Sequence, residues 1–265
     1  MLRIIADDLG LAESVNDGIV FLLKEKKIDG VSLMANGEAF EDAVSKIKEM
    51  GIKYVEDALP HIGVHFVLVD EKPLSGFKSY KNYINFFFAY IFGRINKKGI
   101  EIELRAQIEK IISNGIKPAF INSHQHLHLL PGVMDIMISL AKKYGISYIR
   151  IIHEPLKARG SLVRKAQLCF VRLLSGMAKK RIIRNGLRCN DFFIGFLNAG
   201  NLSKSDIDLA LKINNDYPDK IIELGCHPGF EAESLKIKYK HWGAYNWQKE
   251  IKMLQEYKLA RRSNN

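Results

Sequence analysis

The stretch LRIIADDLGLAESVNDGIVFLLKEK, residues 2–26, decides the fold class. An apolar, β-branched run at residues 2–6 is followed, after a polar turn, by apolar residues at three- and four-residue spacing over residues 13–26. This pattern predicts a strand and then a helix. The same alternation recurs along the chain. Repeated strand–helix units are typical of a mainly parallel sheet, so the sequence predicts an α/β protein.

The other predicted elements follow the same two patterns. Strands are predicted at residues 2–6, 30–34, 62–66, 119–122, 148–152, 192–196 and 221–225. Helices are predicted at residues 13–26, 39–50, 102–114, 132–144 and 205–215, with Ser205 as an N-cap and Gly115 as a C-terminal glycine. A chain of 265 residues without a recognisable linker is expected to form one domain over residues 1–265.

Composition and charge indicate the class of protein and the environment in which it folds. Its 47% apolar and 26% charged residues are ordinary for a soluble globular protein. Cys169, Cys189 and Cys226 are scattered, so we expect no disulfide framework and a reducing, cytoplasmic setting. The net charge of +11 is concentrated in residues 155–190, which hold ten Lys or Arg residues and no acidic residue. The remaining 30 basic and 29 acidic residues nearly balance.

Polar side chains occur where predicted strands end. Asp7 and Asp8 follow the first strand, His65 lies in the third, residues 123–128 follow the fourth, and His227 follows the last. The carboxyl ends of parallel strands are where α/β proteins build their active sites. Four separated segments are therefore expected to converge on one face.

The segment INSHQHLHLLPG, residues 121–132, places His124, His126 and His128 at alternate positions just after a strand. Such a density of histidines is typical of metal sites, because neutral imidazole is the commonest nitrogen ligand. One carboxylate with two histidines leaves positions open, as in a catalytic metal site. A metal ion there lowers the pKa of water toward about 7, and a neighbouring carboxylate can take the proton.

Each candidate residue also has a structural interpretation. The two aspartates are equally consistent with a polar turn that caps the next helix, and a lone histidine such as His65 is more often a hydrogen-bonded core residue. His227 is placed to protonate a leaving amine, or to hold the turn before Pro228. Arg150 is a candidate for orienting a catalytic carboxylate through a bidentate bond, or for a surface salt bridge.

Four motifs in order resemble one known family: ADDLG at residues 6–10, GVHFVL at 63–68, NSHQHLH at 122–128 and GCHPG at 225–229. Together they are similar to the YdjC-like carbohydrate deacetylases, which include chitooligosaccharide deacetylases and hopanoid-biosynthesis-associated relatives. The resemblance spans roughly residues 2–230. Leu9 stands where the family usually has phenylalanine, and Gln125 interrupts a run that is often all histidine.

The resemblance implies a distorted, TIM-like (β/α) barrel and the removal of an acetyl group from an N-acetylated sugar. It implies a divalent ion held by Asp8, His65 and His124, with Asp7 as general base and His227 as acid. The substrate contacts or supporting residues would then be His126, His128 and Arg150. Magnesium or zinc is expected first, with manganese, cobalt and nickel as alternatives. The alternatives are hydrolysis of another acyl amide or ester, and a noncatalytic sugar- or lipid-binding protein.

Two segments are unusual for this fold and are interpreted as insertions. An aromatic insertion at about residues 77–98 contains YINFFFAYIFGRI, residues 83–95. A basic insertion at about residues 155–190 has apolar residues at helical spacing: Leu162, Ala166, Phe170, Leu173, Met177 and Ile182. A basic amphipathic helix is typical of a membrane-surface element, so both insertions are hypothesised to hold the enzyme against an anionic membrane or a lipid-linked sugar. Packing on the barrel or a homodimer contact is the alternative, and no motif indicates a nucleic-acid partner.

Overall fold

The computed structural model describes residues 1–51, 61–243 and 245–257. The strands within these ranges are β1 Leu2–Leu9, β2 Gly30–Leu33, β3 His61–Phe66, β4 Phe120–Ser123, β5 Tyr148–Ile149, β6 Phe192–Ile194 and β7 Ile222–Cys226. They form one parallel sheet in the order β5-β4-β3-β2-β1-β7-β6, curled into a half-barrel. The predicted α/β fold with about seven parallel strands is confirmed. Residues 52–60, 244 and 258–265 of the predicted domain lie outside the described ranges.

Helices alternate with these strands. They are α1 Glu13–Lys24, α2 Phe40–Glu49, α3 Tyr83–Ile91, α4 Lys97–Ser113, α5 Val133–Lys143, α6 Leu162–Arg184, α7 Lys204–Asp216, α8 Glu233–Lys238 and α9 Trp247–Glu256, with 3₁₀ helices at His124–Leu129 and Lys240–Trp242. The five predicted helices correspond to α1, α2, α4, α5 and α7. Their ends differ from the prediction by at most five residues.

The predicted ends of two helices have different outcomes. Gly115 follows α4 with a φ of +84°, so the predicted C-terminal glycine is confirmed. The predicted N-cap Ser205 is wrong, because Ser203 caps α7 in a capping box with Asp206. The backbone N–H of Ser203 donates to Asp206 Oδ2 at 2.8 Å. Both serines have an aspartate three positions later, Asp206 and Asp208, so the local motif did not separate them.

The outer strands β5 and β6 are shorter than the predicted residues 148–152 and 192–196. Beyond β5, the Asn190 side chain bonds both backbone groups of Ile151. Its Oδ1 accepts a hydrogen bond from the Ile151 N–H at 2.8 Å, and its Nδ2 donates to the Ile151 carbonyl at 2.7 Å. Side-chain bonds satisfy the backbone groups without extending either strand.

Both insertions form helices, α3 in the aromatic segment and α6 in the basic one. α6 packs against the protein through Leu168, Leu174, Ala178 and Ile182. Of the predicted apolar series, only Ile182 is buried, and the other five residues face solvent. Within the described ranges, no helix combines the length and the apolar character needed to cross a bilayer.

Candidate active site

Asp7 and Asp8 reach the same site because β1 leaves the regular strand pattern at its carboxyl end. Consecutive side chains of a regular strand point to opposite faces. Asp8 has a left-handed φ of +67°, and the register with β2 shifts at this point. Asp7 hydrogen-bonds to Asn122 while Asp8 contacts His65, and these two partners are hydrogen-bonded to each other at 2.7 Å. Both carboxylates are therefore buried in one polar cluster.

Asp8, His65 and His124 form the centre of this cluster. Asp8 Oδ1 lies 3.2 Å from His65 Nε2 and 3.3 Å from His124 Nδ1. One ligand atom from each residue lies within 4.8 Å of the other two, a span that one metal ion can bridge. The three residues come from the carboxyl ends of β1, β3 and β4.

Each of the two imidazoles is held through its outer nitrogen. His65 Nδ1 lies 2.7 Å from Asn122 Oδ1 and 3.0 Å from Ser32 Oγ. His124 Nε2 lies 3.2 Å from Asp70 Oδ2. Acceptors at these positions favour N–H on the outer nitrogens, which directs His65 Nε2 and His124 Nδ1 toward the cluster. Metal-ligating histidines are oriented in this way.

The Asp8 carboxylate is the feature that fits a bound cation. Both of its oxygens are buried and accept no hydrogen bond from the described residues. Burial acts to raise the pKa of Asp8, but His124 and His65 outweigh it and hold that pKa well below its usual range. Burial acts to lower the pKa of His124, but Asp70 and Asp8 raise it to about 10. An ionised carboxylate without hydrogen-bond donors is costly in the interior, so these residues fit a divalent ion.

Asp7 has the opposite surroundings, because donors surround it. Its Oδ1 accepts hydrogen bonds from Ser32 Oγ at 2.6 Å, Asn122 Nδ2 at 3.0 Å and Arg150 Nη2 at 3.0 Å. Its Oδ2 accepts from Arg150 Nη1. The same guanidinium donates from Nε to Glu223. One arginine therefore joins two buried carboxylates.

Arg150 controls the charge of this part of the site. Burial acts to raise the pKa of Asp7, but Arg150, His65 and His227 outweigh it and hold the pKa below its usual range. Burial raises the pKa of Glu223, and Arg150 opposes that rise only in part. Arg150 itself is fully buried, so the alternative of a surface salt bridge is wrong. Its bidentate bond keeps Asp7 ionised.

His227 lies at the same level of the sheet as the two aspartates. It follows Cys226, which pairs with Ala6 across β7 and β1. Its backbone N–H donates to Glu250 Oε2 at 2.5 Å, and its ring packs against Tyr245 with centroids 5.4 Å apart. The ring Nδ1 is buried and has no hydrogen-bond partner among the described residues. The backbone thus fixes the residue, while a ring nitrogen stays available.

The other two histidines of the motif lie outside the cluster of potential metal ligands. His128 bonds to Ser123 Oγ at 2.6 Å and to the Arg150 carbonyl at 2.9 Å, and burial lowers its pKa to about 3. His126 has a left-handed φ of +54° and a ring 5.5 Å from that of Phe196. Burial also lowers the pKa of His126 well below its usual range. Both are neutral, and the bonds of His128 hold the loop.

Three residues of the site did not emerge from the sequence. Asp70 contacts His124 and also His241, whose Nε2 lies 2.8 Å from Asp70 Oδ1. Glu223 binds Arg150. Trp242 packs on His124 with ring centroids 4.9 Å apart. A lone acid inside the apolar run of β7 was a usable signal for Glu223, and an aspartate ending an apolar run was one for Asp70. Trp242 had no comparable signal.

Comparison with known proteins identifies the family. A family model described as YdjC-like protein matches residues 1–264. The chain belongs to the YdjC-like family. A carbohydrate deacetylase of Clostridium beijerinckii is 33% identical over 56% of this chain and 60% of that relative. Carbohydrate deacetylases of Danio rerio and Xenopus laevis are 26% and 27% identical over 88% and 87% of this chain, and the matches cover 82% of each.

The match to the bacterial relative covers less than two thirds of its length, while the matches to the vertebrate relatives cover more. A solved protein of Enterococcus faecalis V583, named for a proposed role in cellobiose-phosphate cleavage, superposes with a TM-score of 0.64 at 19% identity. That comparison covers 96% of this chain and 89% of the other. At this identity, the superposition shows only that the YdjC-like chain and the solved protein share a fold.

Proposed function

We propose that this YdjC-like protein is a metal-dependent deacetylase that removes the acetyl group from an N-acetylated sugar. The observation that carries the proposal is the pair of adjacent buried aspartates in different environments. Asp8 faces two histidines and has no hydrogen-bond donors, while Asp7 is clamped by Arg150. The names of the relatives support an acetylated carbohydrate as the substrate.

Asp8, His65 and His124 would hold the divalent ion. When bound, such an ion supplies activation of water and polarisation of a carbonyl oxygen. The outer hydrogen bonds of the two rings, to Asn122 and Asp70, keep both inner nitrogens oriented toward Asp8.

Asp7 is the proposed general base, and Oδ2 is the atom with room for a proton. Oδ1 already accepts three hydrogen bonds, whereas Oδ2 accepts one, from Arg150. A carboxylate oxygen has about two acceptor sites, so Oδ2 keeps one open. Arg150 holds the carboxylate ionised and fixes its orientation, so the proposed base is unprotonated before the reaction.

His227 is the proposed acid. In the hydrolysis, the water oxygen bonds to the acetyl carbon, the carbon–nitrogen bond breaks, and the sugar nitrogen receives a proton to leave as an amine. The buried ring nitrogen Nδ1 of His227 has no hydrogen-bond partner among the described residues, so it has no competing bond. The products are acetate and the free amino sugar.

An aromatic wall joins the two halves of the proposed site. The ring of Trp242 lies 4.9 Å from that of His124 and 5.4 Å from that of Tyr245, which in turn lies 5.4 Å from His227. Aromatic faces combine apolar contact with polar edges, which suits the mixed surface of a sugar ring.

The test is acetate release from soluble and lipid-linked N-acetylated sugars by protein reconstituted with zinc, magnesium, manganese, cobalt or nickel. Asp7→Asn is expected to lower kcat by about 10²- to 10⁴-fold, the usual contribution of a general base. Asp17→Asn, at an aspartate with a half-exposed side chain, is the matched control. Undiminished release by Asp7→Asn would contradict the role of the base. Hydrolysis of acyl esters alone by metal-loaded protein would contradict the substrate class.

A further inference from the structure

The two insertions form a surface unlike the rest of the molecule. We define the α3–α6 surface as the exposed parts of residues 72–100 and 155–190. These segments hold sixteen of the 40 Lys and Arg residues and none of the 29 acidic residues, so the remainder has 24 basic residues against 29 acidic ones. Thirteen of the eighteen large apolar side chains exposed in the described part of the chain lie in the same segments.

The apolar side chains of the two helices are continuous. Phe87 of α3 packs edge-on against Phe170 of α6 with ring centroids 5.8 Å apart. On either side of this contact, Phe92 is 65% exposed, Leu173 is 66% exposed and Leu162 is 85% exposed. Large contiguous apolar surfaces on a soluble protein mark interaction sites.

The surface also adjoins the candidate active site. Tyr90 of α3 donates from its hydroxyl to the Pro131 carbonyl at 2.8 Å, just after the histidine motif. Arg164 of α6 donates to the carbonyl of Phe196, whose ring lies 5.5 Å from that of His126. Both helices are therefore anchored on loops that contribute to the site.

We propose that the α3–α6 surface docks on an anionic lipid bilayer. Apolar side chains flanked by Lys and Arg match the acyl boundary and the anionic headgroups of such a membrane. Among the described residues, only Lys98, Lys179 and Arg181 of the sixteen basic side chains form ion pairs within the protein. Docking of a second copy through the same surface would place these like charges against one another, which opposes association.

Sedimentation of the full chain with phosphatidylcholine vesicles, with and without phosphatidylglycerol, tests the proposal independently of turnover. We expect binding only to the anionic vesicles and weaker binding at high salt. Lys180→Glu with Arg184→Glu, two exposed side chains, should weaken partitioning by roughly fivefold or more per residue. Phe92→Ser with Leu173→Ser should weaken it by about tenfold or more.

Matched controls lie on other faces. Lys249→Glu with Lys252→Glu makes the same charge change on α9, and Ile237→Ser removes an apolar side chain that is 68% exposed on α8. Both should bind like the unmodified protein. Failure to bind anionic vesicles, or equal losses in the controls, would overturn the proposal. So would a dimer in analytical ultracentrifugation that the Phe92 and Leu173 substitutions dissociate, because the surface would then be a contact between copies.

Discussion

Asp7 and Asp8 are consecutive, buried residues, but their surroundings differ. Asp7 accepts four hydrogen bonds, two of them from Arg150. Asp8 accepts none from the described residues and faces the two histidine nitrogens. Burial acts to raise both pKa values, and neighbouring positive charge more than offsets it in each case.

The difference shows how one strand end can supply two chemical roles. The protein's own cation compensates the charge of Asp7, so that side chain is fixed in place and stays ionised. The charge of Asp8 faces His65 and His124, whose ring nitrogens can also bind a metal ion. The charge that balances Asp8 therefore depends on whether these rings hold protons or an ion. Four substitutions test whether the two aspartates have these separate roles.

Asp8→Ala should remove one of the three proposed metal ligands. Metal binding by a complete ligand set is worth about 10–16 kcal/mol, so losing one of three protein ligands should weaken affinity on the order of a thousandfold and abolish acetate release. Isothermal titration with zinc and manganese measures the affinity. Asp7→Asn beside it should keep the affinity within about tenfold. Equal losses in the two variants would mean that both aspartates bind the ion.

Arg150→Met should expose the dependence of Asp7 on its partner. The change leaves two buried carboxylates without a cation and should lower the free energy of unfolding by about 3–5 kcal/mol at neutral pH. In the unmodified protein the folded pKa of Asp7 lies below its ordinary value of 3.8, so the stability it contributes is fully present above that value and is lost only as the pH falls through the folded pKa. In the variant, burial without a cation should raise the pKa of Asp7 above that value, so protonation relieves the buried charge and the deficit should shrink as the pH falls from about 7 toward 4.

Urea unfolding between about pH 4 and pH 7 measures this deficit. Arg181→Met is the control, because its partner is the exposed Asp135 and the pair is worth about 0–1 kcal/mol. A deficit in Arg150→Met that does not change with pH would show that packing, not charge, explains the loss.

Asp70→Asn tests the support of His124. The substitution keeps the shape but removes the charge that faces Nε2. Metal affinity should fall by roughly 10- to 100-fold, as for other partners of ligating histidines. Asp135→Asn is a control at an exposed acid, which should titrate like the unmodified protein. Unchanged affinity in Asp70→Asn would show that the contact does not orient the ring.

His128→Gln should give the smallest effect and no loss of metal binding. The folded pKa of His128, about 3, lies below its ordinary value of 6.5, so the unfolded chain binds an extra proton between these values. Stability therefore rises with pH across that range. Without the histidine, the slope of unfolding free energy against pH should fall by up to about 1.4 kcal/mol per pH unit. A weaker metal affinity in His128→Gln would instead show that His128 contributes to metal binding.

The fold was largely predictable because it rests on periodic patterns. Seven apolar runs gave seven strands, and the five periodic segments gave α1, α2, α4, α5 and α7. Strand ends were less predictable where tertiary contacts decide them, as beyond β5, where the Asn190 side chain bonds both backbone groups of Ile151. The single domain over residues 1–265 stays a prediction.

The candidate site was predictable where motifs cluster and unpredictable where long-range contacts complete it. Asp8 and His65 lie near the carboxyl ends of β1 and β3, and His124 follows β4. The strands β4, β3, β2 and β1 are successive in the sheet, and the structure brings the three residues together. Their catalytic assignments stay predictions. Asp70 reaches His124 from a loop and Trp242 from a short 3₁₀ helix, and no local pattern encodes the position of either segment. The face of α6 that packs on the protein could not be predicted from the sequence either, because apolar residues occur on both faces of this helix.

The pairing of β1 with β7 has a consequence for the order of folding during synthesis. Leu2 is partnered by Ile222, and Ala6 by Cys226, so the strand that carries the aspartates stays without one neighbour until β7 has been made. The contacts of Asp70 and His124 with residues 241 and 242 come later still. Such long-range pairings form slowly, and unpaired edges are aggregation-prone. A ribosome-bound chain should therefore complete the surroundings of Asp70 and His124 only after residues 241 and 242 have been made.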